Sequence, residues 1–266
     1  MRENAWTKAR AAVPEDLGLT RRGALTGGFA AFTMFALLSE TSCARPMRRM
    51  AARDWIDRQG ELARALRTGE LAPMKWMVEV ERLAAEVDVA ELMAEAGKAR
   101  ITSNAPLPTN DPHKRSIRFL DSSGEPRKLG FAAALFDFSP TNVITPHGHT
   151  NMVSSHLVVG GKFRVRNFDR LRDEDGAMIV RPTRDYLAET GAISTMSSAR
   201  DNVHWFVPQG GDATTFDVII SEIDKAQGDT RITAIDPLGG QTLEDGSIRA
   251  PIMEFEKASD KYVATI

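Results

Sequence analysis

Apolar residues recur at helical spacing between residues 45 and 100, the first part of the chain with the pattern of a folded region. Four of them lie three or four positions apart, with charged residues between them: Trp76, Val80, Leu83 and Val87. This is the pattern of an amphipathic helix that buries one face. Pro73 suits the first turn of that helix, and Asp88 can cap a second, shorter helix that stops near Gly97. We therefore predict a helical region over residues 45–100.

The pattern changes after about residue 100. A stretch rich in Pro, Asn, Ser and Thr is followed by short apolar runs that turn residues separate. The runs predict strands at 129–138, 152–159, 162–168, 191–196, 203–207 and 214–222. Several short strands joined by glycine-rich turns favour a β-sandwich or barrel. We expect a mainly β domain over residues 101–266, with the helices ahead of it.

The N-terminal part of the chain has a different character. Residues 24–38 carry no charge and follow Arg21 and Arg22, but the run is shorter than the roughly 20 apolar residues of a membrane span. The sequence from Thr20 to Leu25 resembles a twin-arginine export signal. Residues 1–44 are thus expected to be an export signal that directs the protein to the periplasm through the twin-arginine export machinery. An uncleaved membrane anchor is the alternative.

Composition and charge narrow the classes of function. The chain has 266 residues, of which 42% are hydrophobic and 26% charged, as in ordinary soluble globular proteins. Its formal net charge is -2, so it offers no broad positive field for nucleic-acid phosphates. The single cysteine, Cys43, cannot form an intramolecular disulfide. A partner among small molecules is therefore favoured over nucleic acid.

Three histidines carry the clearest chemical signal. His147 and His149 form an H-x-H pair, and alternate residues of a strand point to the same face. His204 opens a later predicted strand. Imidazole suits Fe, Zn, Cu or Ni, and three facial ligands leave coordination positions open. We predict that the three side chains bind one metal ion.

The sequence around the H-x-H pair resembles the first motif of the cupin family. In that motif an acidic ligand follows four residues after the second histidine, and a glycine follows seven further on. In the run TPHGHTNMVSSHLVVGGKFRV, Gly160 stands at the glycine position and Val153 at the position of the acid. The resemblance implies a cupin barrel, a double-stranded β-helix of the jelly-roll type, with a three-histidine metal site.

Among three-histidine cupins, two stretches resemble the cysteamine dioxygenase and plant cysteine oxidase group. They are HGHTNMVSSHLVVGGKFRVRNFD and DNVHWFVPQGGDATTFDVI. The resemblance implies Fe(II), dioxygen and a small thiol substrate, with another divalent transition metal as the alternative cofactor. It assigns His204 as third ligand and Asp217 as a catalytic residue, which either contacts the substrate or supports the residues that do. The family's Pro-Pro-Tyr is replaced by residues 221–223, Ser-Glu-Ile, so its tyrosine is missing.

Other polar residues receive weaker assignments. Arg164 and Arg200 are candidates for binding a substrate carboxylate through two hydrogen bonds. Alternatively, each is a solvated charge on the protein surface. His156 lies three residues beyond Val153, so on a regular strand it faces away from the position of the missing acid. It is expected to be structural, with a fourth metal ligand as the alternative. Trp205 is expected to pack outside the barrel.

These features together favour a non-haem iron dioxygenase that oxidises a small thiol or a similar soluble molecule. Two alternatives stay open from the residues alone. One keeps the three-histidine iron but oxidises a diketone or ring substrate. The other is a cupin that binds a small ligand without catalysis.

Overall fold

The computed structural model describes residues 49–103, 110–263 and 265. The predicted export segment, residues 1–44, lies outside the described residues, together with Arg21, Arg22 and Cys43. Within the described part of the chain, none of the helices combines the length and the apolar character that a membrane crossing requires.

Three helices precede the strands: α1 (Ala52–Arg67), α2 (Pro73–Glu86) and α3 (Val89–Ala96). Pro73 begins α2, as the sequence predicts. The carboxylate of Asp88 accepts hydrogen bonds from the backbone N–H groups of Ala90 and Glu91, so it caps α3 as expected. The predicted helices ahead of the strands are therefore confirmed.

The β part of the described chain contains thirteen strands and a last helix. The strands are β1 (Arg100–Ser103), β2 (His113–Arg118), β3 (Ala132–Phe138), β4 (Ile144–Thr150), β5 (Met152–Gly160), β6 (Lys162–Glu174), β7 (Ala177–Glu189), β8 (Ile193–Met196), β9 (Val203–Pro208), β10 (Ala213–Ser221), β11 (Arg231–Ile235), β12 (Gln241–Thr242) and β13 (Ile248–Met253). Helix α4 (Phe255–Val263) closes the described chain.

The strands form two antiparallel sheets. One has the order β1-β2-β3-β10-β5-β8, and the other has the order β11-β4-β9-β6-β7-β13-β12. Their central strands are β3-β10-β5-β8 and β4-β9-β6-β7. Along the chain these strands alternate between the sheets except at the β6–β7 hairpin, which is the arrangement of an eight-stranded jelly roll. The expected fold class, a double-stranded β-helix preceded by helices, is confirmed.

The helices cover the outer face of the first sheet. Val153 and Leu157 of β5 and Phe216 and Val218 of β10 share one apolar core with α1, α2 and α3. In that core the Trp55 ring meets the Phe216 ring edge-on, with 5.9 Å between ring centroids. Because alternate residues of a strand point to opposite faces, the residues of β5 and β10 that alternate with this outward-facing set face the barrel interior. The helices thus support the two strands that form one wall of the site.

Candidate metal centre

The three predicted ligands meet inside the barrel. His147 and His149 lie on the same face of β4, and His204 on β9 is the direct cross-strand partner of His147. The Nε2 atom of His204 is 3.1 Å from Nε2 of His147 and 3.5 Å from Nε2 of His149. All three residues are at least nine-tenths buried. The predicted cluster of His147, His149 and His204 is therefore confirmed.

These distances match the ligand spacing around one transition-metal ion. Two nitrogens that bind an ion at about 2.1 Å lie about 3.0 Å apart at a right angle and about 3.4 Å apart at the tetrahedral angle. The two separations between Nε2 atoms of the cluster, 3.1 and 3.5 Å, correspond to these values. The cluster contains no carboxylate. A transition-metal ion with three neutral nitrogen donors fits this donor set.

Hydrogen bonds at the second ring nitrogen orient two of the ligands. The Nδ1 atom of His147 donates to the carbonyl oxygen of Thr145 at 2.8 Å, so its Nε2 carries the lone pair that a metal needs. The Nδ1 atom of His149 lies 3.0 Å from the Met152 sulfur, a weak acceptor. Both contacts come from residues within three positions of the ligand, so the local sequence of β4 and β5 sets the ring orientation.

Asn202 fixes the backbone between the ligands. Its side-chain oxygen accepts from the backbone N–H of His149 at 3.3 Å, and its side-chain nitrogen donates to the carbonyl of His149 at 3.0 Å. Gly148 permits this approach, because a Cβ at that position would lie 3.2 Å from the Asn202 oxygen and 3.1 Å from Val203. Asn202 belongs to the stretch DNVHWF that carries the family resemblance, but its position two residues before His204 predicted no role for it.

Burial keeps the three imidazoles uncharged. It lowers the pKa of His147 to about 4, and the hydrogen bond to Thr145 only partly opposes this. Burial also lowers the pKa of His149 and of His204 well below the ordinary value, with the neighbouring histidines adding to the effect. At neutral pH the ligands carry no proton that a metal ion must displace.

A pocket of about 350 Å³ opens onto the three histidines. Much of its wall is apolar: Phe136, Ile144, Met152, Ile219, Ile232 and Phe255. Phe255, at the start of α4, lies beside His147 with 5.7 Å between ring centroids. Lys114 is the one cationic side chain among the described lining residues. The pocket therefore suits a small and largely apolar molecule.

The structure corrects the alignment of the acidic position. Val153 faces the helices as part of their apolar core, whereas Ser154 lines the pocket. Asn151, whose φ of 58° places it in the left-handed region, makes the turn between β4 and β5. Ser154 rather than Val153 therefore stands where a fourth ligand would point. The inference that no acid occupies this place still holds.

His156 and Asp217 lie together beside the cluster. His156 does face away from Val153, as predicted, but this direction is into the pocket. Its Nδ1 atom is 2.7 Å from a carboxylate oxygen of Asp217, and its Nε2 is 2.9 Å from the Ser154 hydroxyl. Its ring packs edge-on against His204, with 4.6 Å between centroids. His156 does not join the group of metal-ligand atoms, and Asp217 lines the pocket as His156 does.

The structure does not bring Arg164 and Arg200 to the pocket. Arg164 forms two hydrogen bonds of 2.8 Å with Asp185 on the barrel surface. Arg200 pairs with Glu81 of α2 and lies 3.5 Å from a carboxylate oxygen of Asp201. Neither arginine lines the pocket. The predicted carboxylate-binding role of both residues is corrected to surface and helix-to-barrel ion pairing, because a nearby acidic side chain engages each guanidinium.

The structure also shows the positions of Trp205 and of the two tyrosines. Trp205 packs outside the barrel against Tyr262, with 4.9 Å between ring centroids, as predicted. The chain has two tyrosines, Tyr186 and Tyr262, and neither lines the pocket. Ser221, the first residue of the segment that replaces the family's Pro-Pro-Tyr, does line it. The missing tyrosine therefore has no substitute from elsewhere in the chain.

Comparison with known proteins gives distant likenesses to solved structures. The sequence matches no protein-family model and no curated protein. Among solved structures, an oxalate oxidase is 18% identical, over 48% of this chain and 58% of that one, with a TM-score of 0.33. The Momordica charantia 7S globulin is 19% identical, over 53% and 36% of the two chains, with a TM-score of 0.36.

A third similar structure is the capsular polysaccharide assembling protein CapF from Staphylococcus aureus. It is 15% identical over 56% of this chain, with a TM-score of 0.34, and this chain spans 37% of its length. Likenesses this distant carry no argument about activity. The fold assignment rests on the strand order, and the site assignment rests on the geometry of the histidines.

Proposed function

We propose that this protein is a three-histidine, metal-dependent dioxygenase that uses Fe(II) and oxidises a small thiol. The observation that carries the proposal is the set of three uncharged imidazoles of His147, His149 and His204, without an acidic ligand, at the end of a small pocket. Such a site leaves the positive charge of a divalent ion uncompensated. An anionic substrate atom, such as a thiolate, balances that charge.

The pocket supports a substrate of limited size and low polarity. Its apolar wall excludes water around the substrate, which strengthens electrostatic interactions at the site. A bound Fe(II) would supply coordination for the thiolate and dioxygen, and the electrons that activate dioxygen. The net reaction balances without a further reductant, because a thiol RSH and one O2 give the sulfinic acid RSO2H. The three histidines would hold the metal ion, and the other residues that line the pocket would bind and orient the substrate.

The placement of the arginines refines the choice among thiols. Because Arg164 and Arg200 lie away from the pocket, the proposal favours a thiol without a carboxylate. Lys114 is the one cationic side chain among the described lining residues, and Asp111, which also lines the pocket, offers a carboxylate to the amino group of an aminothiol. We therefore rank cysteamine and N-terminal cysteine peptides above cysteine and 3-mercaptopropionate.

Oxygen uptake tests this function. Fe(II)-loaded protein is given each of the four thiols, dioxygen consumption is recorded, and products are examined for the sulfinate by mass spectrometry. The His204→Ala variant, which removes one ligand, is the matched control. We expect thiol-dependent uptake with one sulfinate per O2 in the wild type and none in the variant. If no thiol gives a sulfinate while iron stays bound, the thiol function is wrong, and the diketone, ring-cleaving or binding-only alternatives take its place.

Export through the twin-arginine machinery to the periplasm remains part of the proposal. It is supported by Arg21 and Arg22 ahead of the uncharged run of residues 24–38. That route carries proteins already folded, so a metal bound inside a barrel would travel with the protein.

A further inference from the structure

A chain of three hydrogen-bonded side chains forms one polar side of the otherwise largely apolar pocket. Asp217 on β10 is the direct cross-strand partner of His156 on β5, so both side chains point to the same face. Ser154 lies two residues before His156, on that face as well. The contacts run from Asp217 to Nδ1 of His156, 2.7 Å, and from Nε2 of His156 to the Ser154 hydroxyl, 2.9 Å.

These three hydrogen-bonded side chains are deeply buried, and the series ends with Ser154 at the pocket. Ser154 and Asp217 are each 1% exposed, and His156 is 5% exposed. Buried polar side chains are costly unless they are hydrogen-bonded, yet the apolar residues on the opposite face of β5 and β10 already join the strands to the helices. Packing alone therefore does not account for three polar side chains on the inner face, next to the metal-binding histidines.

The order of donors and acceptors along this series leaves the Ser154 oxygen free to accept a further hydrogen bond. A carboxylate accepts, so the ring N–H of His156 that points to Asp217 is the donor, and its other nitrogen accepts from the Ser154 hydroxyl. A hydroxyl has one hydrogen to donate and two lone pairs with which to accept. Ser154 has no other hydrogen-bond partner within the described residues. Its oxygen thus presents an acceptor at the pocket wall.

We propose that Ser154 is a substrate-binding residue that selects small molecules with a hydroxyl or amine near their metal-binding atom, with His156 and Asp217 as positioning residues. This inference rests on the proposed function, and it narrows the substrate class. In this arrangement Asp217 orients the His156 ring through the hydrogen bond to Nδ1.

Ligand pairs of equal shape test the proposal by binding rather than by turnover. In 2-mercaptoethanol a hydroxyl replaces the terminal methyl group of propanethiol. The same replacement relates 1-hydroxypentane-2,4-dione to hexane-2,4-dione. Each ligand is titrated into the nitric oxide adduct of the Fe(II)-loaded protein, and the change in the paramagnetic resonance spectrum gives Kd. The measured quantity is the ratio of Kd for the methyl ligand to Kd for the hydroxyl ligand.

Three variants test whether the difference in Kd within each ligand pair depends on the Ser154 hydroxyl. A single hydrogen bond contributes about threefold to tenfold in affinity, so Ser154→Ala should lower the ratio by that factor. Ser154→Thr keeps a hydroxyl and should restore the ratio. Ser155 is buried on the same strand but does not line the pocket, so Ser155→Ala is the matched control and should leave the ratio unchanged.

The outcomes separate this inference from the proposed function. If Ser154→Ala leaves the ratio at the wild-type value for a pair that binds, the role of Ser154 is overturned. If the diketones bind and the thiols do not, the thiol function fails, and the diketone ratio still decides the role of Ser154. If none of the four ligands changes the spectrum, both proposals are overturned.

Discussion

Three buried imidazoles should make the metal-free protein sensitive to mild acid. His147, His149 and His204 each have a pKa lowered by burial in the folded protein, whereas in the unfolded chain they take their ordinary value of 6.5. Between the two values the unfolded chain binds protons that the folded protein does not. The free energy of unfolding should therefore fall as the pH drops below about 6.5.

The size of the effect can be worked for His147. Its pKa falls from 6.5 to about 4, and one pKa unit corresponds to about 1.4 kcal/mol. The full loss of stability from this residue is therefore about 3 kcal/mol, reached below pH 4. Between about pH 7.5 and about pH 5, the same two pKa values give a loss of about 2 kcal/mol. His149 and His204 shift in the same direction and add to this loss.

Urea unfolding of the chelator-treated protein at these two pH values measures the effect. His147→Gln removes the titrating group and should reduce the difference between the two pH values by about 2 kcal/mol. Ser155→Ala is the control, because it changes a buried residue that carries no titrating group and should leave the difference unchanged. A His147→Gln variant with the full wild-type pH dependence would contradict the buried, uncharged state of this ligand.

Two further variants test the reassigned arginines and the export signal. Arg200→Ala should lower the free energy of unfolding by about 1 kcal/mol, because it breaks the ion pair with Glu81. The variant should leave KM unchanged. A raised KM with unchanged stability would instead support a role of Arg200 in substrate binding. Arg21→Lys combined with Arg22→Lys should keep the protein in the cytoplasm, as fractionation and immunoblotting would show; wild-type levels in the periplasm would refute the twin-arginine assignment.

The apolar pattern predicts much of the fold because most core strands are apolar runs bounded by turns. All six predicted strand segments overlap observed strands. Strand β7 was not predicted, since its buried apolar start is only four residues long and is followed by a polar, partly exposed stretch that contains Pro182. Strand β4 was missing from the apolar runs for a different reason: its buried face carries His147 and His149. Chemistry rather than hydrophobicity identified that strand.

The inner wall of the pocket depends on strand register, which sequence spacing cannot fix. A shift of one residue moves every side chain of a strand to the other face. The turn at Asn151 produces such a shift, so Val153 was assigned to the place that Ser154 holds. The same limit concealed the contact between His156 and Asp217, because these residues are 61 positions apart and meet only through strand pairing.

The arginines illustrate a second limit. A guanidinium pairs with whichever carboxylate the fold brings near, and Asp185, the partner of Arg164, lies on the unpredicted strand β7. The three-histidine cluster was predictable because H-x-H on one strand already places two donors side by side. His204 required only that β4 and β9 be neighbours.

Metal content is the most direct test of the central claim that three histidines bind one transition-metal ion. Protein purified from its native compartment is analysed by inductively coupled plasma mass spectrometry, beside alanine variants of four histidines. We predict one transition-metal ion per wild-type chain, loss of most metal in His147→Ala, His149→Ala and His204→Ala, and retention in His156→Ala. Wild-type protein without stoichiometric metal, or equal loss in all four variants, would contradict the three-histidine site.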